Sequence, residues 1–178
     1  SDSTLWAWGY NNKGQLGQNN GTTYSSPIQI PGTTWAESSS NGSMTLATKT
    51  DGTLWSFGNN QSGALAQNSQ TEYSSPVQIG SGTDWGISEG HISVADSNRA
   101  AAIKNDGTLW TWGFNEYGQL GQNNETSYSS PTQIPGTTWS KIDLGYHAGA
   151  GLKTDGTLWS WGMNNNGMLG QNQPGNSR

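Results

Sequence analysis

The stretch 89–99 holds the residue types best suited to acid–base chemistry in this sequence of 178 residues. Glu89, His91, Asp96 and Ser97 supply an acid, a base and a hydroxyl within a short distance along the chain. Proximity in sequence does not establish the geometry of a catalytic triad, which depends on distances in the fold. The chain has no cysteine and two histidines, which excludes thiolate chemistry and leaves few histidine ligands. We therefore expect a non-enzymatic protein without a catalytic, cofactor or metal site.

Phosphate binding is a second chemistry to consider, because the pattern Gly-x-Asn-x-x-Gly follows several strand-like segments. A phosphate loop leads into a helix whose N-terminus holds the anion, and no helical pattern follows here. Asparagine side chains readily hydrogen-bond the backbone of their own turn. We interpret the repeated asparagines as such structural turn residues: Asn11, Asn60, Asn115 and Asn164.

The composition is poor in charge and rich in tryptophan and glycine. Disordered chains of low hydrophobicity are usually charged and poor in aromatic residues. Here 30% of the residues are apolar, 11% are charged and 10 are tryptophans, which argues against a disordered chain. The net charge of −5 gives no basic surface for phosphate backbones, so we expect no nucleic-acid partner. No run of 18 apolar residues occurs, so we also expect no membrane insertion.

The elements that position these residues come from an internal repeat. The string Thr-Leu-Trp occurs four times, and each copy continues into an aromatic residue and the Gly-x-Asn-x-x-Gly pattern. Three copies then reach Tyr-Ser-Ser-Pro-x-Gln-Ile. We predict a single repeat domain over 1–178. Its repeats are 3–51, 52–106, 107–155 and a partial copy at 156–178.

Each repeat has the pattern of short antiparallel strands. An Asp-Gly pair such as Asp51-Gly52 between two strand-like runs is a strong hairpin signal. Repeats of ~50 residues fit one four-stranded blade of a β-propeller. We predict an all-β fold of four-stranded antiparallel blades in an incomplete ring of about three and a half repeats, with a stacked β-solenoid as the alternative. The polar segment 36–43 predicts a strand prone to fraying.

Two segments carry a family resemblance. Lys-Thr-Asp-Gly-Thr-Leu-Trp-Ser-Trp-Gly-Met-Asn-Asn-Asn-Gly-Met-Leu-Gly at 153–170 resembles the repeat of the regulator of chromosome condensation family, and the approach at 142–147 matches its Ile-x-x-Gly-x-His pattern. The resemblance implies a propeller, usually of seven blades. The Asn-, Gln- and Ser-rich style resembles repeat proteins of tailed phages that infect marine cyanobacteria. The founding member regulates a small GTPase through particular loops, and no segment here matches them.

The aromatic residues divide into packing positions and surface candidates. Tryptophans at repeated positions are expected to fill the spaces between blades, although exposed tryptophans can also stack on sugars. The four in the Thr-Leu-Trp strands are Trp6, Trp55, Trp110 and Trp159. Loop residues that change between copies suit partner binding. These candidates are Tyr10, Phe114, Tyr117 and Met163.

The repeat pattern predicts a protein that works by contact with other proteins. An incomplete ring would expose apolar faces and strand edges, which a longer chain, a ring or stack shared among subunits, or another protein could cover. We expect self-association or docking on a larger assembly. Low charge suits a virion or extracellular surface, such as a phage tail, fibre or capsid-associated component. The alternatives are a lectin-like module that binds glycans and a cellular scaffold or GTPase regulator.

Overall fold

The chain forms an arc of antiparallel sheets in a computed structural model that describes residues 2–96 and 98–172. Its strands alternate direction along the sequence and are joined by turns and loops. The strands of the described residues are β1 (Leu5–Gly9), β2 (Tyr24–Ile30), β3 (Trp35–Ser40), β4 (Met44–Lys49), β5 (Leu54–Gly58), β6 (Tyr73–Gln78), β7 (Ile92–Ala95), β8 (Arg99–Ile103), β9 (Leu109–Gly113), β10 (Tyr128–Gln133), β11 (Trp139–Leu144), β12 (Ala148–Lys153) and β13 (Leu158–Gly162).

Two of the sheets are complete blades and two are partial. The complete blades have the strand orders β3-β4-β5-β6 and β7-β8-β9-β10. The pair β1-β2 precedes them and the three-stranded sheet β11-β12-β13 follows. The predicted all-β fold of four-stranded antiparallel blades is confirmed, and the described sheets form an open arc that does not close into a ring.

The hairpins form at the Asp-Gly pairs because glycine accepts the backbone conformation of the turn. Gly52 has φ +79°, and its N–H donates to the oxygen of Lys49 at 2.9 Å. The Lys49 N–H in turn donates to the oxygen of Thr53 at 3.0 Å. A Cβ at Gly52 would overlap the main-chain oxygen of Thr83, so glycine is required at this close approach.

Sequence repeats and blades are offset by half a unit. The predicted repeats start at a Thr-Leu-Trp strand, which is the third strand of a blade. Each complete blade therefore takes its first two strands, which we call the inner strands, from one sequence repeat. Its last two strands, the outer strands, come from the next repeat. Of the predicted domain, residue 1, Ser97 and 173–178 lie outside the described residues.

The hydrophobic core lies between consecutive sheets. One apolar cluster, which includes Leu46, Val94 and Trp112, fills the space between the two complete blades. Another, around Ile103 and Ile142, joins the second complete blade to the three-stranded sheet. A smaller cluster joins β1-β2 to the first complete blade. Neighbouring sheets thus supply each other's apolar cover. Within the described residues, no helix is long and apolar enough to cross a membrane.

The polar strand β3 is paired along its length, with one register shift between Trp35 and Glu37, so the expectation of fraying was wrong. It pairs with β4 from Trp35 to Ser40. Two of its polar side chains accept hydrogen bonds from the next blade. Glu37 Oε1 accepts the N–H of Gly90 at 2.7 Å, and Ser39 Oγ accepts the N–H of Val94 at 3.1 Å. Polar residues serve here as links between blades because their partners are backbone groups far away in sequence.

Candidate partner-binding surface

The variable loops and the turns between the inner strands lie along one side of the arc, which we call the upper end. The Asp-Gly turns lie along the opposite side, which we call the lower end. Successive antiparallel strands reverse direction, so the β11-β12 turn and the loop after β9 point the same way while the Asp-Gly turns point the opposite way. The upper end therefore gathers the Gly-x-Asn-x-x-Gly loops, whose other residues change between repeats.

A buried asparagine holds each upper loop in shape. The side-chain oxygen of Asn115 accepts the N–H of Leu120 at 2.8 Å, and its amide donates to the oxygens of Asn124 at 2.9 Å and Thr126 at 3.0 Å. Asn115 is fully buried. Equivalent bonds from a side-chain oxygen to the N–H five residues later are made by Asn11, Asn60 and Asn164. These loops are hydrogen-bonded frames on which exposed side chains can vary.

An aromatic cluster occupies the upper end between the last two sheets. The ring of Tyr117 lies 6.4 Å from that of Phe114 and 5.5 Å from that of His147, and His147 lies 4.3 Å from Tyr146. Tyr117 is 39% exposed and Tyr146 is 63% exposed. We call these four residues the upper aromatic cluster. Exposed aromatic residues in such a group are typical of partner-binding sites.

A buried arginine fixes the turn that carries half of this cluster. The Arg99 guanidinium donates to the main-chain oxygens of Tyr146 at 3.0 Å and Ala148 at 3.1 Å, and also to that of Gly145. Arg99 belongs to the preceding blade, so these bonds tie the two blades together. Burial lowers the pKa of Arg99 to about 10, which leaves it charged at neutral pH.

Of the two remaining surface candidates, Tyr10 lies away from the cluster, whereas Met163 is hydrogen-bonded to it through its backbone. Tyr10 is 64% exposed and borders a cleft beside β1 at the first end of the arc. Met163 is half-buried in the loop after β13, and its N–H donates to the oxygen of His147 at 3.0 Å. The structure thus brings Phe114 and Tyr117 together and places Tyr10 in a different region.

The Thr-Leu-Trp tryptophans share a hydrogen-bonded chain at the lower end. Asp51 accepts both the N–H and the O–H of Thr53, at 3.0 and 2.7 Å, and the hydroxyl of Thr53 accepts the indole N–H of Trp55 at 2.8 Å. The same chain begins at Asp2, Asp106 and Asp155. Trp55 and Trp110 are partly buried. Trp6 and Trp159 are more exposed, at 49% and 51%, because they lie in the two outermost sheets.

Lysines pack between pairs of these tryptophans. Lys49 Nζ lies 4.9 Å from the ring of Trp35 and 3.9 Å from that of Trp55. Lys104 and Lys153 each lie over two tryptophan rings in the same way in the following sheets. A cation over an aromatic face is attracted by the ring quadrupole, so each lysine stabilises its tryptophan pair. These contacts give the three lysines and their tryptophan pairs a structural role.

The polar stretch 89–99 is divided among structural roles. Glu89 and Asp96 are exposed, while burial lowers the pKa of His91. Burial also raises the pKa of Glu37, although the N–H of Gly90 opposes that shift. Among residues 2–96 and 98–172, no group of three His, Asp or Glu side chains is arranged to hold a metal ion.

Sequence reasoning missed Tyr146 and His147 as members of the candidate partner-binding surface, and it missed Arg99 as the buried residue that holds their turn. Their sequence signal is weak, since Tyr146 and His147 fall in the family pattern and Arg99 is an isolated basic residue. Only the fold brings Arg99 to a turn 46 residues later in the chain.

Family models match most of the chain. The description "Regulator of chromosome condensation (RCC1) repeat" applies to the matches at residues 2–45, 51–87 and 106–150 and to a second model at 139–167. The chain belongs to the RCC1 repeat family. The blades described above are therefore RCC1 blades. A comparison with curated proteins found no match.

Several solved structures share the fold. Human WBSCR16 is 22% identical with a TM-score of 0.84 over 99% of this chain and 47% of that protein. Yeast RCC1 (Prp20) bound to Kap60 is 20% identical with a TM-score of 0.72 over 92% of this chain and 38% of that one. Prp20p from Saccharomyces cerevisiae, described with its binding to Gsp1p and histones, is 22% identical with a TM-score of 0.73, covering 92% and 40%. The RCC1 chain here spans less than half the length of each.

Proposed function

We propose that this chain is a non-enzymatic RCC1-repeat protein that acts by protein–protein contact at the surface of a phage particle. The observation that carries the contact function is the upper aromatic cluster, whose exposed rings of Tyr117 and Tyr146 sit on rigid loops. A rigid aromatic residue loses little conformational entropy when a partner covers it, so such a surface favours binding.

The proteins with which this fold is shared give further support. Two solved structures of one yeast protein, Prp20, are described with protein partners, namely Kap60 in one case and Gsp1p and histones in the other. Those partners belong to the yeast protein, and this chain covers less than half of it. What transfers to the proposal is the use of an RCC1 surface for binding proteins.

The particle setting is proposed from the composition. A surface with 11% charged residues depends little on ion pairs, which salt water would screen. Dense Asn, Gln, Ser and Thr keep such a surface hydrated with few charged side chains. A tail, fibre or capsid-associated component that acts in assembly or host contact fits these properties.

The experiment compares phage particles that carry the natural chain with particles that carry a Tyr117→Ser and Tyr146→Ser double variant. Mass spectrometry of purified particles should detect the natural chain, and the double variant should reduce its incorporation or the adsorption of particles to host cells at least about tenfold. The matched control changes the exposed Asn105 and Thr137 at the lower end to Ser. Purified particles without the chain would overturn the virion setting, and equal effects of the two double variants would overturn the role of the cluster.

Glycan binding is a second candidate, favoured by the exposed ring of Tyr117 beside Phe114. Aromatic faces stack on the apolar faces of sugars, so a small aromatic group can form a carbohydrate site. Specific signals on a glycan array that disappear in Tyr117→Ala and Phe114→Ala would support this candidate. An array without specific signals would exclude it for the glycans present.

A cellular scaffold or GTPase regulator is the remaining alternative, favoured by the likeness to Prp20p. At 22% identity that likeness concerns the fold alone. A nucleotide-exchange assay with Gsp1p tests it directly, because an exchange factor accelerates nucleotide release at catalytic concentrations. We expect no acceleration from this chain.

A further inference from the structure

We propose that copies of this chain join head to tail by strand exchange, with β1 of one copy replacing β13 beside β12 of another. The proposal rests on the contact function above and names a partner for it, a second copy of this chain. It concerns the two ends of the arc, whereas the experiment on phage particles concerns the upper aromatic cluster. Each can therefore fail without the other.

The two outermost sheets are complementary parts of one blade. The pair β1-β2 corresponds to the outer strands of a complete blade, and β11-β12 corresponds to the inner strands. The strand β13 duplicates β1, since one reads Leu-Trp-Ser-Trp-Gly and the other Leu-Trp-Ala-Trp-Gly. Even their approach turns agree, because the Thr157 hydroxyl donates to Asp155 at 2.7 Å and the Thr4 hydroxyl donates to Asp2 at 2.9 Å. The strands β11, β12, β1 and β2 together make a four-stranded blade.

The register of the exchanged strand follows from the pairing already present. In β12, Gly151 lies opposite Trp159 and Ala150 lies opposite Ser160. The same register places Trp6 opposite Gly151 and Ala7 opposite Ala150. Complete blades obey the same rule, since small residues lie opposite the corresponding tryptophans, as Ala47 does for Trp55 and Ala102 for Trp110.

The exchange would bury groups that the isolated arc leaves open. Trp8 is 62% exposed and Trp6 is 49% exposed, and both line an open cleft of about 330 Å³. The residue that corresponds to Trp8 in the last sheet, Trp161, donates its indole N–H to the oxygen of Gln119 at 3.0 Å. After exchange Trp8 takes that place, and Trp6 reaches Lys153 as Trp159 does now.

The strand β13 is the weaker competitor for β12. Its Leu158 is 72% exposed and its Trp159 is 51% exposed, and within the described residues it pairs only with β12. The incoming β1 already carries β2 as a paired outer strand, so the exchanged blade has one strand more than the sheet it replaces. Head-to-tail contacts of this kind produce rings or open chains.

The first test uses two equivalent tryptophans with nearly equal exposure, in separate variants Trp6→Ala and Trp159→Ala. Sedimentation velocity measures self-association of the full chain over a range of concentrations. Trp6→Ala removes a side chain that the exchange buries, so it should weaken association at least about tenfold. Trp159→Ala weakens only the displaced strand, so association should stay the same or tighten. Equal weakening by both variants would indicate nonspecific contact between exposed rings and would overturn the exchange, as would a natural chain that stays monomeric.

The second test crosslinks the predicted strand pair with a disulfide. The natural chain contains no cysteine, so only the introduced cysteines can react. The Lys153 N–H donates to the oxygen of Thr157, so these two residues form a hydrogen-bonded pair. Hydrogen-bonded and non-hydrogen-bonded pairs alternate along an antiparallel ladder, so Ala150 and the residue opposite it form a non-hydrogen-bonded pair, whose Cα atoms are closely spaced. The variant Ala7→Cys with Ala150→Cys should form intermolecular disulfides on mild oxidation.

The matched control for the trap is Ala7→Cys with Ala148→Cys, two positions out of register on the same strand. Circular dichroism checks that both variants keep the β-rich fold, and each single cysteine variant measures accidental collisions. Covalent oligomers formed well above the yields of the controls support the exchange. Monomers after oxidation, or equal yields in and out of register from folded protein, contradict it.

Discussion

The indole N–H of Trp112 donates a hydrogen bond across the space between blades to the main-chain oxygen of Ala64, 2.8 Å away. Trp112 is fully buried, and its partner lies in the upper loop of the preceding sequence repeat. Trp161 repeats the arrangement with Gln119. Trp8 occupies the same repeat position at the first end of the arc and is 62% exposed. The same residue type is thus core or surface according to whether another loop covers it.

The substitution Trp112→Phe should destabilise the chain by about 1–2 kcal/mol, because it leaves the buried oxygen of Ala64 without its donor and removes part of a packed ring. Urea unfolding at low protein concentration measures the change. Trp8→Phe is the matched control and should change stability by less than about 0.5 kcal/mol, since an exposed ring contributes little. Similar losses in both variants would contradict the assignment of Trp112 as a link between blades.

The substitution Asn115→Ala should cost about 2–3 kcal/mol, because the N–H of Leu120 and two main-chain oxygens lose their shared partner. Chemical unfolding measures the loss, and hydrogen exchange should show faster exchange at Leu120. The exposed Asn166 provides the control, and Asn166→Ala should leave both readouts almost unchanged. A small effect of Asn115→Ala would mean that the loop keeps its shape without this side chain.

Acid should weaken the fold through the aspartates of the Asp-Gly turns. The hydrogen bond from the Thr108 hydroxyl is the main cause that lowers the pKa of Asp106 from its ordinary value of 3.8. Because the folded pKa lies below the unfolded one, the stabilisation is present above pH 3.8 and is lost as the pH falls through the folded pKa. Urea midpoints measured from about pH 5 down to pH 2 should fall, and less steeply in Asp106→Asn. Parallel curves for the two proteins would contradict this role.

The substitution Arg99→Met should loosen the turn that carries Tyr146 and His147. The side chain keeps much of its volume but loses the donors to three main-chain oxygens. Hydrogen exchange at the N–H of Gly145, which donates to the oxygen of Ala148 at 2.9 Å, should accelerate at least about tenfold. Exchange in the Asp51-Gly52 hairpin serves as an internal control and should not change. Unchanged protection at Gly145 would show that the turn is held by other contacts.

The elements that local sequence determines could be predicted, and the contacts between blades could not. Asp51-Gly52 predicts its hairpin because the turn depends on the conformational freedom of one glycine. The docking of β3 through Glu37 depends on Gly90, 53 residues later, so its polar sequence suggested fraying instead. Likewise, Arg99 gained its role only from a turn in the next blade. Long-range hydrogen bonds leave no periodic signal in the sequence.

Self-association is the property that most directly tests the claim that the two ends of this arc join other copies of the chain. Sedimentation velocity of the unmodified chain from low to high micromolar concentration is the decisive measurement. The strand exchange predicts reversible species larger than the 18.9 kDa chain whose share grows with concentration. A single compact 18.9 kDa species throughout that range would contradict the claim.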